Sequence, residues 1–219
     1  MFNFLKLLKK NFTVNGDIKK NVVKSYFNET TSLMFDAASA SYEEEAILKN
    51  INNINNKNIL DLGCGDGRYS SAIQNYTYYH GVDFSESFIS KCVEKKNSKF
   101  TCHDVSTFIE DKKYNIILLV GLITYLEDED VSNLIRNLKK MITDDGIIIL
   151  RSVTLQEEGY KKIYYDSKRG FLNRLRFLKP RYQIIRRTRD YELSLFKDFK
   201  IVKITKIPNT SYTLYIFKL

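Results

Sequence analysis

Three aspartates and a glycine-rich turn are the residues whose types and spacing could do chemistry. The run Asp61-Leu-Gly63-Cys-Gly65-Asp-Gly67 follows an apolar segment, Asn58 to Leu62, and precedes a segment of helical character. Alternate glycines let the backbone turn sharply and let a ligand approach it closely. The helix start beyond them offers N–H groups without intrahelical partners. Asp83 stands twenty residues after Gly63, at the end of a second apolar segment, and Asp104 follows a third. A carboxylate at a strand end can accept hydrogen bonds from paired donors. Taken singly, either aspartate reads as a solvated strand end. A dinucleotide turn needs Gly-x-Gly-x-x-Gly. Counted from Gly63 its last glycine would fall at Arg68, and counted from Gly65 at Ser70. A nucleotide-cofactor oxidoreductase is disfavoured accordingly.

The elements that must position these residues alternate along the chain. Asn58–Leu62, Tyr78–Asp83, Lys99–His103, Tyr114–Val120 and Ile147–Val153 read as strands. The fourth is almost wholly apolar, as a central parallel strand covered on both faces should be. Helices are expected over Tyr69–Asn75, after Ser85 as N-cap with Phe88, Ile89, Cys92 and Val93 on one face, and near Glu129–Thr143. The last of these places Val131, Leu134, Ile135, Leu138 and Ile142 on one stripe, and Asp144-Asp-Gly146 ends it. Repeated strand–helix units predict a parallel sheet with helices on both faces. A last helix, Arg189–Phe196, precedes two apolar segments, Phe199–Lys206 and Thr210–Lys218. These join through Ile207-Pro-Asn209 and predict an antiparallel pair. The Asn-rich stretch Asn50–Asn58 reads as a connector from an N-terminal helical extension or lid, residues 1–57, to a main domain, residues 58–219.

The pattern Asp-x-Gly-x-Gly-x-Gly resembles motif I of the class I S-adenosylmethionine-dependent methyltransferases. The resemblance covers residues 58–153 and, in outline, the terminal strand pair. It implies a three-layer Rossmann-like α/β fold: a seven-stranded, mostly parallel sheet with an antiparallel final strand and helices on both faces. It also implies S-adenosylmethionine as cofactor and S-adenosylhomocysteine as product. Gly63, Cys64, Gly65 and Gly67 would form the floor under the cofactor, and Asp61 would orient its amino-acid end through water. Asp83 would hold the ribose hydroxyls, with Phe84 packed on the adenine. Asp104 would accept from the adenine amino group beside the Val105 N–H. Gly121 and Leu122 would line the methionine part.

The acceptor side is less legible. Methyl transfer is an in-line displacement that depends mostly on alignment of the reacting groups. Tyr125 and Arg151, past the fourth strand and at the end of the fifth, are candidate catalytic residues, and Ser152 adjoins them. Tyr42 is a candidate from the N-terminal lid. His80 reads as packing and His103 as structural. Of the net charge of +9, residues 151–219 carry +11 and residues 58–150 carry −4. Seven of the ten arginines lie between Arg169 and Arg189, in a basic insertion over 154–189. A guanidinium fork holds phosphate or carboxylate, so Arg174 and Arg176 are candidate acceptor ligands and an anionic acceptor is expected. The insertion reads equally as a solvated basic face. Tyr160, Ile163, Tyr164, Phe171, Leu175 and Leu178 fit one helical face and predict a packed helix there.

Composition excludes several classes. The chain has 219 residues, 43% hydrophobic and 28% charged, which suits one folded domain. Three cysteines without Cys-x-x-Cys spacing, and only two histidines, argue against a disulfide framework and a metal site. The longest apolar run, Ile116–Ile123, is too short to cross a bilayer. Met1 to Lys10 carries no secretory pattern, so a cytoplasmic protein is expected. Phe2, Phe4, Leu5, Leu7 and Leu8 with Lys6, Lys9 and Lys10 fit a helix packed on the domain or, less favoured, one lying on a membrane surface. The leading expectation is a methyltransferase acting on O or N of a small or medium anionic acceptor such as a metabolite, glycan or lipid head group. RNA methylation through residues 161–189 is an alternative. Gly121-Leu-Ile-Thr-Tyr125 stands where an adenine methyltransferase would carry Asn/Asp-Pro-Pro-Tyr, and neither proline precedes a cysteine. A cofactor-binding domain without transfer is the remaining alternative. The oligomeric state is open.

Overall fold

Residues 23, 26–28, 37–51, 54–155, 161–165 and 183–219 are described by a computed structural model. The first regular element among the longer stretches is helix α1, Ala37–Ile51. Then β1 (Lys57–Leu62), α2 (Arg68–Ala72), β2 (Tyr76–Asp83), α3 (Glu86–Ile89) and β3 (Ser98–Cys102) alternate. They are followed by β4 (Tyr114–Val120), a 3-10 turn (Ile123–Tyr125), α4 (Asp128–Met141) and β5 (Ile142–Ser152). The remaining elements are β6 (Lys161–Tyr165), β7 (Gln183–Arg187), α5 (Arg189–Leu195), β8 (Lys200–Lys206) and β9 (Thr213–Lys218).

Seven strands form one sheet in the order β3-β2-β1-β4-β5-β9-β8. The first five are parallel, and β9 runs antiparallel to both β5 and β8. The expected fold class is therefore the observed one. The strand order reverses direction between β1 and β4. In an open sheet such a switch point leaves a crevice outside the carboxyl ends of the strands, where ligands bind. The turn Gly63–Gly67 leaves β1 at that point.

Alternation along the strands splits the core in two. Leu60, Leu62, Ile117, Leu119, Ile148 and Leu150 face α4 and α5, whose Leu134, Leu138 and the adjoining Phe196 close that side. Ile59, Ile116, Leu118 and Ile149 face the other way, against Ile47 and Ile51 of α1 and Tyr69 of α2. Successive strand residues point to opposite faces, so the apolar runs of β1, β4 and β5 fill both layers. Helix α4 follows its sequence stripe, with Asp128, Glu129 and Asp130 in the first turn and Lys139 and Lys140 in the last, as the helix dipole favours.

Several boundaries differ from expectation. Helix α4 ends at Met141 and Ile142 already starts β5, because β-branched Ile142 extends into the sheet opposite Tyr114. The helix expected over Tyr69–Asn75 is the short α2, which stops at Ile73 in an extended conformation. Ser85 does cap α3, accepting from the Phe88 N–H. That helix is only one turn long, and Val93, expected on its buried face, is exposed.

The largest correction concerns the basic insertion. Residues 161–165 are not helical: they pair antiparallel with Gln183–Arg187, Ile163 opposite Ile185. β-branched and aromatic residues at 163–165 and 184–185 favour extended backbone, and helical spacing alone missed this. Tyr160, Phe171, Arg174, Leu175, Arg176 and Leu178, like the N-terminal Phe2–Lys10 segment, lie outside the described residues. Strand β7 returns to the main domain: Leu155 N donates to Arg187 O at 2.8 Å, and Thr124 Oγ1 to Ile185 O at 3.2 Å. Arg187, expected on a basic surface, is fully buried. Its Nε donates to Asp128 Oδ1 at 2.9 Å, Nη1 to Ile123 O at 2.8 Å and Nη2 to Leu126 O at 2.7 Å.

This guanidinium ties the insertion to the start of α4. Arg187→Ala would leave the Ile123 and Leu126 carbonyls without their donor, while Asp128 keeps the Tyr191 hydroxyl, and leaving a buried acceptor unsatisfied costs about 1–3 kcal/mol. A loss of that size in urea unfolding is the expected outcome, and Arg187→Lys, without the fork, should recover less than half of it.

Candidate active site

The turn after β1 is held by the end of β2. Gly63 N and Cys64 N both donate to Val82 O, at 2.8 and 3.2 Å. Gly65 N donates to Asp83 Oδ2 at 3.0 Å, and Ser85 N to Asp83 Oδ1 at 2.9 Å. Gly63, Gly65 and Gly67 all have left-handed φ values. At Gly63 a Cβ would also come within 3.0 Å of Leu122 Cδ1. A side chain there would be strained and would push the loop after β4 away from the turn. Asp83 is buried, and burial pushes its carboxyl up while bonds from the Ser85, Gly65 and Phe84 backbone pull it down. A carboxylate has about four acceptor positions, so capacity remains for a ligand hydroxyl. Asp61 lies below the turn and accepts from the Tyr79 hydroxyl; burial raises it to about 7, against the pull of Tyr79 and Arg68.

The other expected ligands follow β3 and β4 at the same carboxyl edge of the sheet. Asp104 Oδ1 accepts from Ser106 N at 2.9 Å and Ser106 Oγ at 2.8 Å, closing the turn after β3. Val105 behind it is buried. Gly121 has a left-handed φ of 69°, and its N donates to Arg151 O at 3.1 Å. Leu122 is buried against Gly63. His103 is exposed, with Nδ1 3.0 Å from Asp104 O. His80 is buried between Glu110, at 2.9 Å from Nδ1, and Thr101 Oγ1, at 2.8 Å from Nε2, a packing role. The three cysteines are unbridged. Cys64 is buried, and its thiol is pushed up by the adjacent Cys92 and by burial.

Three residues at the site carried no usable sequence signal. Glu43 sits in the run Glu43-Glu44-Glu45, which reads as a solvated face, yet it is fully buried. Its carboxylate pairs with Arg68 and with Arg151, and it accepts from the Tyr69 hydroxyl at 2.9 Å. Phe27 lies edge-on to Phe84 at 5.9 Å and to Tyr125 at 5.1 Å between ring centres. Ser85 Oγ fastens that segment, donating to Asn28 Oδ1 at 2.9 Å. Tyr212 stacks under the Arg151 guanidinium at 4.3 Å. Tyr42, by contrast, lies on the solvent side of α1, one residue before Glu43.

Comparison with known proteins decides what this crevice belongs to. Residues 59–146, which hold the glycine turn, Asp83, Asp104 and Gly121, match the family described as "Methyltransferase domain". The matched stretch, residues 59–146, is thus a methyltransferase domain, and the sheet has the Rossmann-like methyltransferase fold. It is 29% identical over 187 residues to phosphoethanolamine N-methyltransferase 1 of Triticum aestivum, spanning 77% of this chain and 36% of that one. It is 26% identical over 111 residues to ubiquinone biosynthesis O-methyltransferase of Coxiella burnetii, 48% of this chain and 47% of the relative. In structure it is similar to phosphoethanolamine N-methyltransferase 1 of Haemonchus contortus in complex with phosphoethanolamine and S-adenosylhomocysteine. The TM-score is 0.71 at 18% identity, over 91% of this chain and 48% of that one. The chain thus spans about a third of the length of its wheat relative.

Of the acceptor-side candidates, Tyr125, Arg151 and Ser152 stand at or just past the ends of β4 and β5, whereas Arg174 and Arg176 lie outside the described residues. Tyr125 lies in the 3-10 turn beside Arg151, Tyr26 and Tyr212; burial pushes its phenol up, against the pull of Arg151. At neutral pH it is therefore a hydroxyl donor and not a phenolate base. Ser152, buried at the end of β5, donates to the buried Glu192 of α5. Burial raises Glu192 to about 7, opposed by the Ser152 and Tyr215 hydroxyls and by the charge of Arg187. Among the described residues no cluster of His, Cys, Asp or Glu could hold a metal ion, and no helix is long and apolar enough to cross a membrane.

Glu192 makes stability depend on pH with a definite sign. Its folded value lies above its ordinary 4.5, so its favourable contribution is complete below that pH and is lost as pH rises through about 7. Between pH 5 and pH 8 the stability of Glu192→Gln should gain about 2 kcal/mol on the native protein. Urea titrations at the two pH values check this, and a gap independent of pH would show that Glu192 is ionised in the fold.

Proposed function

We propose that this chain transfers the methyl group of S-adenosylmethionine to an O or N atom of a small anionic acceptor, of the class of a phosphorylated amino alcohol. The observation that carries the cofactor half is the buried Asp83 carboxylate, bonded to Gly65 N in the turn at the sheet's switch point. A ribose diol suits that carboxylate, and an adenine amino group suits Asp104 after β3. Gly63, Cys64, Gly65 and Gly67 form the floor in this reading, with Phe84 and Val105 beside the base and Gly121 and Leu122 along the methionine part. When bound, S-adenosylmethionine supplies an electrophilic methyl on a sulfonium. The protein's own work is alignment and exclusion of water, to which Phe27 and Tyr125 contribute aromatic cover.

The relatives named phosphoethanolamine N-methyltransferase support the acceptor half. An acceptor of that kind joins an amine to a phosphate. The arginine-rich insertion is consistent with it, since β7 brings part of that segment against the turn carrying Tyr125. Arg174 and Arg176 remain the proposed acceptor ligands, and Tyr125 the proposed hydroxyl donor at the reacting group.

Calorimetry with S-adenosylhomocysteine should give micromolar binding that Asp83→Ala weakens about thirty-fold, a loss of about 2 kcal/mol. S-adenosylhomocysteine release with phosphoethanolamine should exceed that with ethanolamine at least tenfold in kcat/KM. Failure of the first measurement sinks the cofactor assignment. Binding without turnover of phosphorylated or carboxylated amines sinks only the acceptor class. Tight, steeply salt-dependent binding of RNA would replace it with a nucleic-acid acceptor.

A further inference from the structure

We propose that Arg151 is the ligand for the α-carboxylate of the cofactor's methionine part, and that buried Glu43 positions it there. This rests on the cofactor reading above. Glu43 and Tyr212 help to hold the Arg151 guanidinium. Its Nε edge pairs with Glu43, and its face stacks on the Tyr212 ring at 4.3 Å. The Nη pair lies against Gly121, where a Cβ would come within 3.0 Å of both Nη atoms. Glycine at 121 thus lets two N–H-bearing nitrogens approach the backbone that follows β4.

That backbone is the floor expected under the methionine part. Leu122, the next residue, packs on Gly63, the first glycine of the turn. The guanidinium therefore stands beside the strip Gly121–Leu122–Gly63, at the end of the crevice away from the adenine-side residues Phe84 and Asp104. A guanidinium presents a planar fork that matches a carboxylate. S-adenosylmethionine and S-adenosylhomocysteine both carry one at their amino-acid end. Glu43 does not belong to the crevice lining; its other oxygen takes Arg68 and the Tyr69 hydroxyl at the start of α2. One carboxylate from α1 thus registers the end of β5 against the helix after the glycine turn, and with it the direction in which Arg151 points.

The test compares two ligands that differ only in the carboxylate, S-adenosylhomocysteine and its decarboxylated analogue, by calorimetry. The native protein should prefer S-adenosylhomocysteine at least tenfold. Arg151→Gln should weaken S-adenosylhomocysteine by twenty-fold or more and the analogue by less than threefold, so that the preference disappears. Arg151→Lys should keep part of the preference, and it serves as the folded variant if the glutamine variant does not fold. Glu43→Gln should lose about half of the preference on a logarithmic scale, without touching the ligand. Parallel weakening of both ligands would overturn the proposal and leave Arg151 a structural residue. Unchanged binding of both with a raised acceptor KM would overturn it in favour of an acceptor role. A native protein that binds neither ligand would remove the cofactor reading itself, and this inference with it.

Discussion

The carboxylate of Asp83 is where the turn after β1 and the cap after β2 meet. It accepts from Gly65 N in the turn after β1 and from Ser85 N at the cap of α3. One side chain thus sets the position of the glycine turn and the start of the helix after β2. It can do so because β1 and β2 are parallel neighbours whose ends lie side by side, Leu62 opposite Val82. The Val82 carbonyl adds the bonds that bring Gly63 and Cys64 back across the strand end. Burying a carboxylate is costly unless hydrogen bonds satisfy it, and here the backbone N–H groups of the turn itself supply them. The turn and the carboxylate depend on each other, and the left-handed glycines are what make the turn tight enough.

A second group of charges joins buried Glu43 and Arg151 to the partly exposed Arg68. Glu43, Arg68 and Arg151 come from three distant parts of the chain and close on one another beneath the N-terminal helix. Breaking such a set by removing one member leaves a buried charge uncompensated. Their geometry is therefore held more strictly than packing alone would hold it. Arg187 plays the same part for the insertion, where it reaches the Ile123 and Leu126 carbonyls and the Asp128 side chain. Both clusters use arginine, whose fork serves several acceptors at once. Both lie near the loops that must be placed accurately, not in the middle of the sheet.

The basic insertion shows how composition can mislead about surface. Counted along the chain, its arginines look like one anion-binding face. Folded, Arg187 is fully buried in service of the turn carrying Tyr125, and Arg186 is half-buried. The segment's charge is thus partly structural. Its return strand is a sheet partner, because Ile184 and Ile185 prefer a pleated surface to a helical stripe.

Local patterns in the sequence determined much of this protein. Alternating apolar segments and the acidic-to-basic run of α4 fix the order of elements, since side-chain periodicity is set by backbone geometry. The glycine turn, Asp83 and Asp104 were legible because each stands at or just past the end of a strand, so their place at the sheet's carboxyl edge comes from the chain order itself. The strand boundaries at Ile142 and Thr213 and the brevity of α2 and α3 were not legible, because pairing across the sheet settles them. Glu43, Phe27 and Tyr212 left no trace for a different reason. Each is far in sequence from what it touches, and its burial depends on where α1, the N-terminal segment and β9 dock. Only the tertiary structure decided that a glutamate in an acidic run would sit between two arginines, because that contact has no local component.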